Sequence, residues 1–344
     1  MCYPVEMPDQ PPNSVLVYVG FDRIGDGLLK LPFVRGLRLA FPDARITWLA
    51  GKEDSVYAGV LADLAKGQID EVIEHAGIGV KPGELLRRIP ENPLDGRRFD
   101  LIIDTQRTLW TSLSLWRVAH GTFISPAARF LLSSKKPVTG YRFPKTMQRQ
   151  LLDLLELACG QDFPSPKTLN LDLDPALSDA ATRLLPDGPV YIGFAPGSGG
   201  PPKCWPLESF ISIAQLQAAK GRVPVFLLGP KEDGWLNQIK AGVPEALFPL
   251  QDDGVQAAHG FSPLLPIAIS KRFEAAVSNV SGAGHMFAVG GRPVVILYGV
   301  SAPKKFQPMT EKLTIIRAQD FGGPEMHNIP IDAVEEALEK VLTS

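Results

Sequence analysis

Residues 15–51, VLVYVGFDRIGDGLLKLPFVRGLRLAFPDARITWLAG, begin and end with short apolar runs. Val15 to Val19 is typical of a buried strand, and a second strand candidate closes the stretch. Between them the apolar residues recur at helical spacing, at Leu28, Leu31, Val34, Leu37 and Phe41. A strand, a helix and a strand in this order predict a right-handed parallel crossover. The stretch therefore predicts an α/β fold with a parallel sheet.

The same alternation occupies most of the chain. IDEVIEH (69–75) and FDLIIDTQ (99–106) supply further strand candidates. Residues 161–189 contain five prolines and little periodicity, which predicts a linker. The alternation resumes at residue 190, with strand candidates separated by helical segments. Two Rossmann-like, doubly wound halves are the expected architecture.

Bulk composition excludes several classes of protein. The 344 residues are 45% hydrophobic, with 35 Lys and Arg against 37 Asp and Glu, so nothing favours nucleic acid as a partner. Cys2, Cys159 and Cys204 are too far apart to indicate a disulfide framework or a metal cluster, and they favour a reducing compartment. No apolar stretch indicates a signal peptide or a membrane span, so we expect a cytoplasmic protein.

Two loops in the second half have the composition of anion-binding sites. APGSGGPPKCWP (195–206) follows a strand candidate, and its glycines and Lys203 could meet a phosphate, although the spacing is that of neither a P-loop nor GxGxxG. SNVSGAGHMFAVGG (278–291) places Ser281, Gly282 and Gly284 where a helix begins. Alone, the first could be a Pro/Gly turn and the second a well-capped helix. Because both follow strands of the same half, together they predict a nucleotide diphosphate site.

The first half offers one carboxylate and one basic segment as candidates. Asp26 lies between Gly25 and Gly27 just after the first strand, where it could cap a helix or meet a ligand. Residues 129–150 contain six basic residues and no acidic one. This local positive field suits a phosphorylated glycolipid or an anionic membrane face, although a solvated loop is the commoner alternative.

Seven blocks carry a resemblance to a known family: GDGLLKLP, FPDARITWLAG, FDLIIDTQ, APGSGGPPKCWPLESF, LLGPKED, SNVSGAGHMFAVGGRPVVILYG and IDAVEEALEKVL. In order and spacing they resemble the ADP-heptose:lipopolysaccharide heptosyltransferases of glycosyltransferase family nine. The resemblance runs from about residue 15 to 342. It implies a GT-B architecture, with two Rossmann-like domains facing across a cleft.

On this resemblance, residues 1–175 would bind the acceptor, 176–329 the nucleotide sugar, and 330–344 would form a C-terminal helix. The implied enzyme is an inverting glycosyltransferase that needs neither a metal nor a cofactor. It would move heptose or a related sugar from a donor such as ADP-heptose to a lipopolysaccharide core or another lipid-linked saccharide. Peripheral contact with the inner face of the bacterial inner membrane would accompany a cytoplasmic location.

The resemblance also assigns roles to individual residues. Asp26 matches the general base, and Lys203 matches the lysine that supports the donor phosphates. Gly25 and Gly27 would admit the acceptor. The remaining assignments are donor contacts at Ser198, Glu232, Ser281, Gly282, Gly284 and His285, with Glu232 at the ribose, and acceptor contacts at Lys135 and Lys136.

Two departures from the family keep alternatives open. Val280 stands where the family has an acidic residue before the helix, and Cys204 stands where arginine or another polar residue is common. A buried hydroxyl of the donor left unpaired would cost about 1–3 kcal/mol. A catalytically silent nucleotide-binding or scaffold protein is therefore an alternative. A dinucleotide oxidoreductase is not favoured, because neither half contains GxGxxG with a following acidic residue.

Overall fold

The protein is described by a computed structural model that covers residues 11–79, 83, 94, 96–260, 262–300 and 303–343. Cys2 lies outside these residues. The chain divides into two compact units, Met1–Ser165 and Pro166–Ser344. The acceptor and donor functions expected of residues 1–175 and 176–329 stay predictions.

The first unit contains a parallel sheet of five strands in the order β3-β2-β1-β4-β5. Val15 to Val19 of β1 are completely buried, as expected of a central strand covered on both faces. Its elements are β1 (Ser14–Val19), α1 (Ile24–Ala40), β2 (Arg45–Ala50), α2 (Ala62–Ala65), β3 (Glu71–Ile73), β4 (Arg98–Asp104), α3 (Leu109–Trp116), β5 (Ala119–Ile124) and α4 (Met147–Cys159).

Helices α1 and α4 pack against each other in this unit. A Cβ atom at Gly36 would lie 2.8 Å from Leu155 Cδ2, so the glycine permits the close approach of the two helices. Pro32 lies inside α1 without ending it.

The second unit contains another parallel sheet of five strands, in the order β10-β9-β8-β6-β7. Its core includes Phe194, Phe226 and Trp205, all nearly inaccessible to solvent. Its elements are α5 (Pro175–Leu184), β6 (Tyr191–Ala195), α6 (Leu207–Ala219), β7 (Val223–Phe226), α7 (Leu236–Gly242), α8 (Asp253–His259), α9 (Leu264–Ser270), β8 (Ala275–Asn279), α10 (Gly282–Val289), β9 (Val294–Tyr298), β10 (Leu313–Arg317) and α11 (Ile331–Leu342).

The predicted linker at 161–189 contains a helix that its composition concealed. Pro175 occupies the first turn of α5, where proline starts a helix because its missing N–H would have no partner there. The Asp174 carboxylate caps the helix by accepting from the Ala176 N–H at 2.8 Å. The helix packs against α9, so this part of the linker belongs to the second unit.

Each sheet reverses its strand order at one point, between β1 and β4 in the first unit and between β6 and β8 in the second. Open α/β sheets bind ligands outside the carboxyl ends of the strands at such points. The loops there are those that follow β1 and β4, and those that follow β6 and β8. Over the ranges that the structure describes, no helix is long and apolar enough to cross a membrane.

Candidate functional site

In the second unit, the last residue of β8 joins the two loops at the point of strand reversal. Asn279 is completely buried, and its Oδ1 accepts from the Trp205 backbone N–H at 3.0 Å. Its Nδ2 donates to the Pro196 carbonyl at 2.7 Å. One amide therefore holds both ends of the loop at 196–205 against β8. Sequence reasoning missed this role, although a polar residue at the end of an apolar strand was a visible signal.

Ser198 makes a second connection between the same loops. Its hydroxyl donates to the carbonyl oxygen of Val280 at 3.1 Å. The structure thus brings Ser198 beside the loop that precedes α10. The Val280 N–H donates to the Leu297 carbonyl, so hydrogen bonds position the backbone of this residue on both sides.

The N-terminus of α10 retains donors that its cap does not satisfy. Ser281 is the N-cap residue, but its side chain makes no capping hydrogen bond, and its Oγ lies 3.4 Å from the Ser278 Oγ. A helix begins with several N–H groups that lack partners within the helix, and its dipole favours an anion there. Gly282 opens this first turn and is half-buried. This helix start has the geometry of an anion site.

Gly284 and His285 lie on the buried side of the first turn of α10. A Cβ atom at Gly284 would lie 2.8 Å from Ile296 Cδ1, so this glycine permits close packing of the helix on the sheet. Burial lowers the pKa of His285 to about 4, because a charged imidazole would be poorly solvated there. The side chain is therefore neutral at pH 7. It can contribute a hydrogen bond to a ligand but no full positive charge.

Glu232 lies across the loops that follow β6 and β7. Its carboxylate accepts from the Gly229 N–H at 2.9 Å. A Cβ atom at Gly197 would lie 2.5 Å from the Glu232 Cδ, so a side chain at position 197 would displace this carboxylate. The acid expected at the ribose therefore contacts both loops at this edge of the sheet. Its contact with a nucleotide stays a prediction.

Lys203 ends a short 3₁₀ helix, Pro201–Lys203, and its side chain is exposed. Within the described residues it pairs with no carboxylate, whereas the neighbouring Trp205 is buried and donates from Nε1 to the Ile329 carbonyl at 2.9 Å. Trp205 is thus a packing residue that anchors the segment carrying Lys203. The Cys204 pKa is raised, mainly by burial and then by the nearby Glu232.

In the first unit, Asp26 lies at the third position of α1 and is half-buried. Arg23 is the N-cap residue, so Asp26 is not the N-cap itself and takes part in capping only as the acidic residue at the third position of the helix. Its Oδ2 instead accepts a long hydrogen bond, 3.4 Å, from the Arg23 backbone N–H. This contact leaves most of the carboxylate's capacity to accept hydrogen bonds unused.

A buried acid that sequence reasoning missed organises the loop before Asp26. The Asp22 side chain is fully buried and forms an ion pair with Lys30. Its Oδ2 also accepts from Trp48 Nε1 and from Ser55 Oγ, both at 2.9 Å. A buried carboxylate with a cation and two donors is well compensated. Asp22 therefore fixes the backbone from which α1 and Asp26 start.

The glycines beside Asp26 are both buried. A Cβ atom at Gly27 would lie 2.6 Å from Val56 Cγ2 and 2.8 Å from Leu61 Cδ1, and the Gly27 carbonyl accepts from the Tyr57 hydroxyl at 2.7 Å. Packing thus explains why Gly27 is a glycine. Admission of an acceptor by Gly25 and Gly27 stays a prediction.

Lys135 lies apart from Asp26, at the amino edge of the first sheet. It lines a cavity of about 530 Å³ together with Asn13, Asp100 and Cys159. Its Nζ donates to the Ala158 carbonyl at 2.8 Å, and burial lowers its pKa. The structure does not bring Lys135 together with Asp26, which lies at the carboxyl edge. An acceptor role for Lys135 stays a prediction that this position disfavours, and Lys136 is exposed beside it.

Another buried acid ends β4 at the carboxyl edge. Asp104 accepts from Ser112 Oγ at 2.5 Å, from Ser125 Oγ at 2.9 Å and from the Gln106 N–H at 2.8 Å. Burial outweighs these bonds and raises its pKa to about 6. Asp104 thereby ties α3 and β5 to the end of β4. Across the described ranges, no group of three or more His, Cys, Asp or Glu side chains is placed to hold a metal ion.

The basic segment also includes aromatic residues near this edge. Phe130 and Phe143 stack with ring centres 5.6 Å apart, and the Arg107 guanidinium lies 4.1 Å from the centre of the Phe143 ring. Because Arg107 follows the end of β4, these residues lie at the carboxyl edge. Arg149 is paired with Asp153 and Glu156 within α4, so its charge is compensated.

Comparison with known proteins identifies the family of the chain. Residues 91–330 match the model of glycosyltransferase family 9 (heptosyltransferase), which covers more than half of the chain. Lipooligosaccharide heptosyltransferase 2 of Haemophilus influenzae is 23% identical over 88% of both chains.

Two solved structures share the fold. A glycosyltransferase of family 9 from Veillonella parvula has a TM-score of 0.71 at 20% identity, over 98% of this chain and 99% of its own. Escherichia coli heptosyltransferase WaaC, solved with ADP, has a TM-score of 0.63 at 19% identity, over 95% and 99%. The expected fold class, α/β with two Rossmann-like units of the GT-B type, is confirmed. Because its family model spans most of the chain, the protein belongs to glycosyltransferase family 9, the heptosyltransferase family, and is a glycosyltransferase.

Proposed function

We propose that this enzyme transfers heptose or a related sugar from a nucleotide diphosphate donor to a lipopolysaccharide core or another lipid-linked saccharide. The transfer would invert the anomeric configuration and require no metal. The observation that carries the proposal is the pair of loops in the second unit, which Asn279 and Ser198 hold together at the point of strand reversal. ADP-heptose is the first donor to test, since a relative with this fold was solved with ADP.

The donor diphosphate would lie against the start of α10, with Lys203 on the other loop. The first-turn N–H groups would bind phosphate oxygens, and the lysine would add a full charge. A charged hydrogen bond of this kind contributes about tenfold or more to affinity. The same groups would stabilise the negative charge that grows on the leaving diphosphate. Neutral His285 would add a hydrogen bond without charge.

The chemical step would be a single displacement with Asp26 as general base. An acceptor hydroxyl would attack the anomeric carbon as its proton passes to the Asp26 carboxylate. The bond from the anomeric carbon to the diphosphate oxygen would break, and the nucleoside diphosphate would leave with the electron pair. A positioned base contributes about 10²–10⁴-fold to such a step. The weak contact of Asp26 with Arg23 supports its availability for this role.

Val280 argues for a donor sugar that differs from heptose or is held by other groups. Its side chain accepts no hydrogen bond, and its carbonyl already accepts from Ser198. A hydroxyl that an acidic residue would bind therefore has no partner in this side chain. Family membership favours an active glycosyltransferase over the silent scaffold that the same substitution suggested.

The first unit would bind the acceptor. The protein would be cytoplasmic and in peripheral contact with the membrane. The exposed basic residues Arg129, Arg142 and Lys145 support an anionic acceptor, such as a phosphorylated glycolipid.

Calorimetric titration with ADP, GDP, UDP and dTDP tests the donor proposal without knowledge of the acceptor. We expect one of these nucleotides to bind, and to bind more tightly than its monophosphate. The matching nucleotide sugar should then release its nucleoside diphosphate only when a lipid-linked saccharide is added. Failure to bind any of the four would overturn the assigned donor site.

A further inference from the structure

Helix α3 exposes two large apolar side chains, whereas Leu115 faces the core and two of the polar side chains are buried. Thr111 and Ser112 are buried, where they donate to the Gly79 carbonyl and the Asp104 carboxylate. Leu109 is 40% and Trp116 is 50% exposed. In an ordinary surface helix the large apolar side chains form a stripe that faces the core. The outward face of α3 is therefore suited to an apolar environment outside the unit.

The chain around this helix is strongly basic. Residues 105–152 contain eight lysines and arginines and no aspartate or glutamate. The rest of the chain holds 27 lysines and arginines against 37 aspartates and glutamates, so this basic segment stands out in an otherwise acidic chain. Arg107 precedes Leu109, and Arg117 follows Trp116, so basic residues flank both ends of the apolar face.

Contacts place further cations next to the same helix. The Lys52 ammonium lies 5.9 Å from the Trp110 ring, which is half-buried on α3. Arg107 stacks on Phe143, which brings the exposed Arg142 and Lys145 near the first turn of α3. Exposed tryptophan and leucine with surrounding lysine and arginine are the residues that anchor proteins at the surface of anionic bilayers.

We propose that the outward face of α3, formed by Leu109, Trp110, Leu113 and Trp116 with the flanking basic residues, docks the protein on an anionic lipid bilayer. The apolar side chains enter the interfacial region, and the basic residues contact the lipid headgroups. The inference extends the lipid-linked acceptor of the proposed function, because docking brings the first unit to the surface where such an acceptor lies. Its test needs neither donor nor acceptor, so the two proposals can fail separately.

Binding to vesicles tests the docking face directly. We expect the protein to sediment with vesicles of phosphatidylcholine and phosphatidylglycerol, to bind phosphatidylcholine vesicles weakly, and to lose binding as salt screens the charges. Replacement of both Leu109→Ser and Trp116→Ser should lower the partition coefficient by about tenfold or more. Leu39→Ser is the matched control, since Leu39 is 76% exposed on α1, outside this face.

A second variant and a spectroscopic measurement guard against misfolding of the double variant. Replacing Arg129, Arg142 and Lys145 by glutamine removes exposed charges only, and should weaken binding to the anionic vesicles. Lipids brominated in their acyl chains should quench the fluorescence of the wild type, and Trp116→Phe should reduce the quenching. The circular dichroism spectrum and the midpoint of thermal unfolding should stay unchanged in all these variants.

Several results would overturn the proposal. The proposal would be overturned by equal binding to both kinds of vesicle or by no binding to either. An equal loss of binding in the Leu39→Ser control would overturn it as well. Light scattering should show the same oligomeric state for the wild type and the double variant. A wild-type dimer that the double variant converts to a monomer would assign this face to contact between copies of the chain instead.

Discussion

The side chain of Asn279 binds the backbone of Trp205 across 74 residues of sequence, with Oδ1 accepting from the N–H at 3.0 Å. The other end of the same amide donates to Pro196, at the opposite end of the loop. The strand that ends at Asn279 thus determines the position of the loop that carries Ser198 and Lys203.

Replacing Asn279→Ala should leave the Trp205 N–H and the Pro196 carbonyl without partners in a buried site. We expect the free energy of unfolding of the second unit to fall by about 2–4 kcal/mol. Affinity for the nucleotide should fall as well, because the loop loses its anchor. Urea unfolding and calorimetry would measure the two effects. Asn237→Ala, at an exposed position, serves as the control, and an equal loss there would contradict the role of Asn279.

Replacing Lys203→Ala should weaken binding of the nucleoside diphosphate by about tenfold or more, since a charged contact with phosphate is lost. Binding of the nucleoside itself should change little, and high salt should reduce the difference between variant and wild type. Lys271→Ala removes an exposed charge at the end of α9 and should leave affinity unchanged. An equal loss of affinity for nucleoside and diphosphate would argue that Lys203 acts through folding of the loop.

Replacing Asp26→Asn or Asp26→Ser should lower the rate of sugar transfer by about 10²–10⁴-fold with little change in stability. The carboxylate makes only one long hydrogen bond, which asparagine can also accept, so the helix should remain intact. Rates under saturating donor and thermal unfolding would be compared. Asp63→Asn replaces an exposed aspartate in the first turn of α2 and should have no effect on either. Normal turnover in the Asp26 variants would remove the general base.

Asp104 should make stability fall as pH rises from about 4 to about 6. Its folded pKa, about 6, lies above the ordinary value of 3.8, so the folded protein retains a proton that the unfolded chain has lost. The wild type should therefore lose up to about 3 kcal/mol over this range relative to Asp104→Asn, which has no proton to lose. Urea unfolding of both proteins at several pH values would reveal the difference. Parallel curves for the two proteins would mean that Asp104 titrates normally.

Local patterns were sufficient for most of the architecture. Apolar periodicity depends on neighbouring residues, so β1, α1 and β2 could be recognised from residues 15–51. The glycine-rich loops directly follow strand candidates, so the sequence also predicted that they lie at the carboxyl edge of the second sheet. Composition was a poorer guide at 161–189, where proline starts α5 instead of breaking it.

Contacts between distant segments could be read only from the tertiary structure. Asn279 can hold the loop at 196–205 only because the strands of the second sheet are neighbours. The burial of Asp22 beside Trp48 and Ser55 depends in the same way on strand order in the first sheet. So does the position of Lys135 at the amino edge of that sheet. The outward apolar face of α3 has the same origin, because Asp104 and Gly79 provide the partners that let Thr111 and Ser112 face inward. The sequence alone thus determined the strands, the helices and the loops that could bind an anion. The packed units decided which side chains meet there, since a hydrogen bond or a buried charge is stable only where folding brings its partner within about 3 Å.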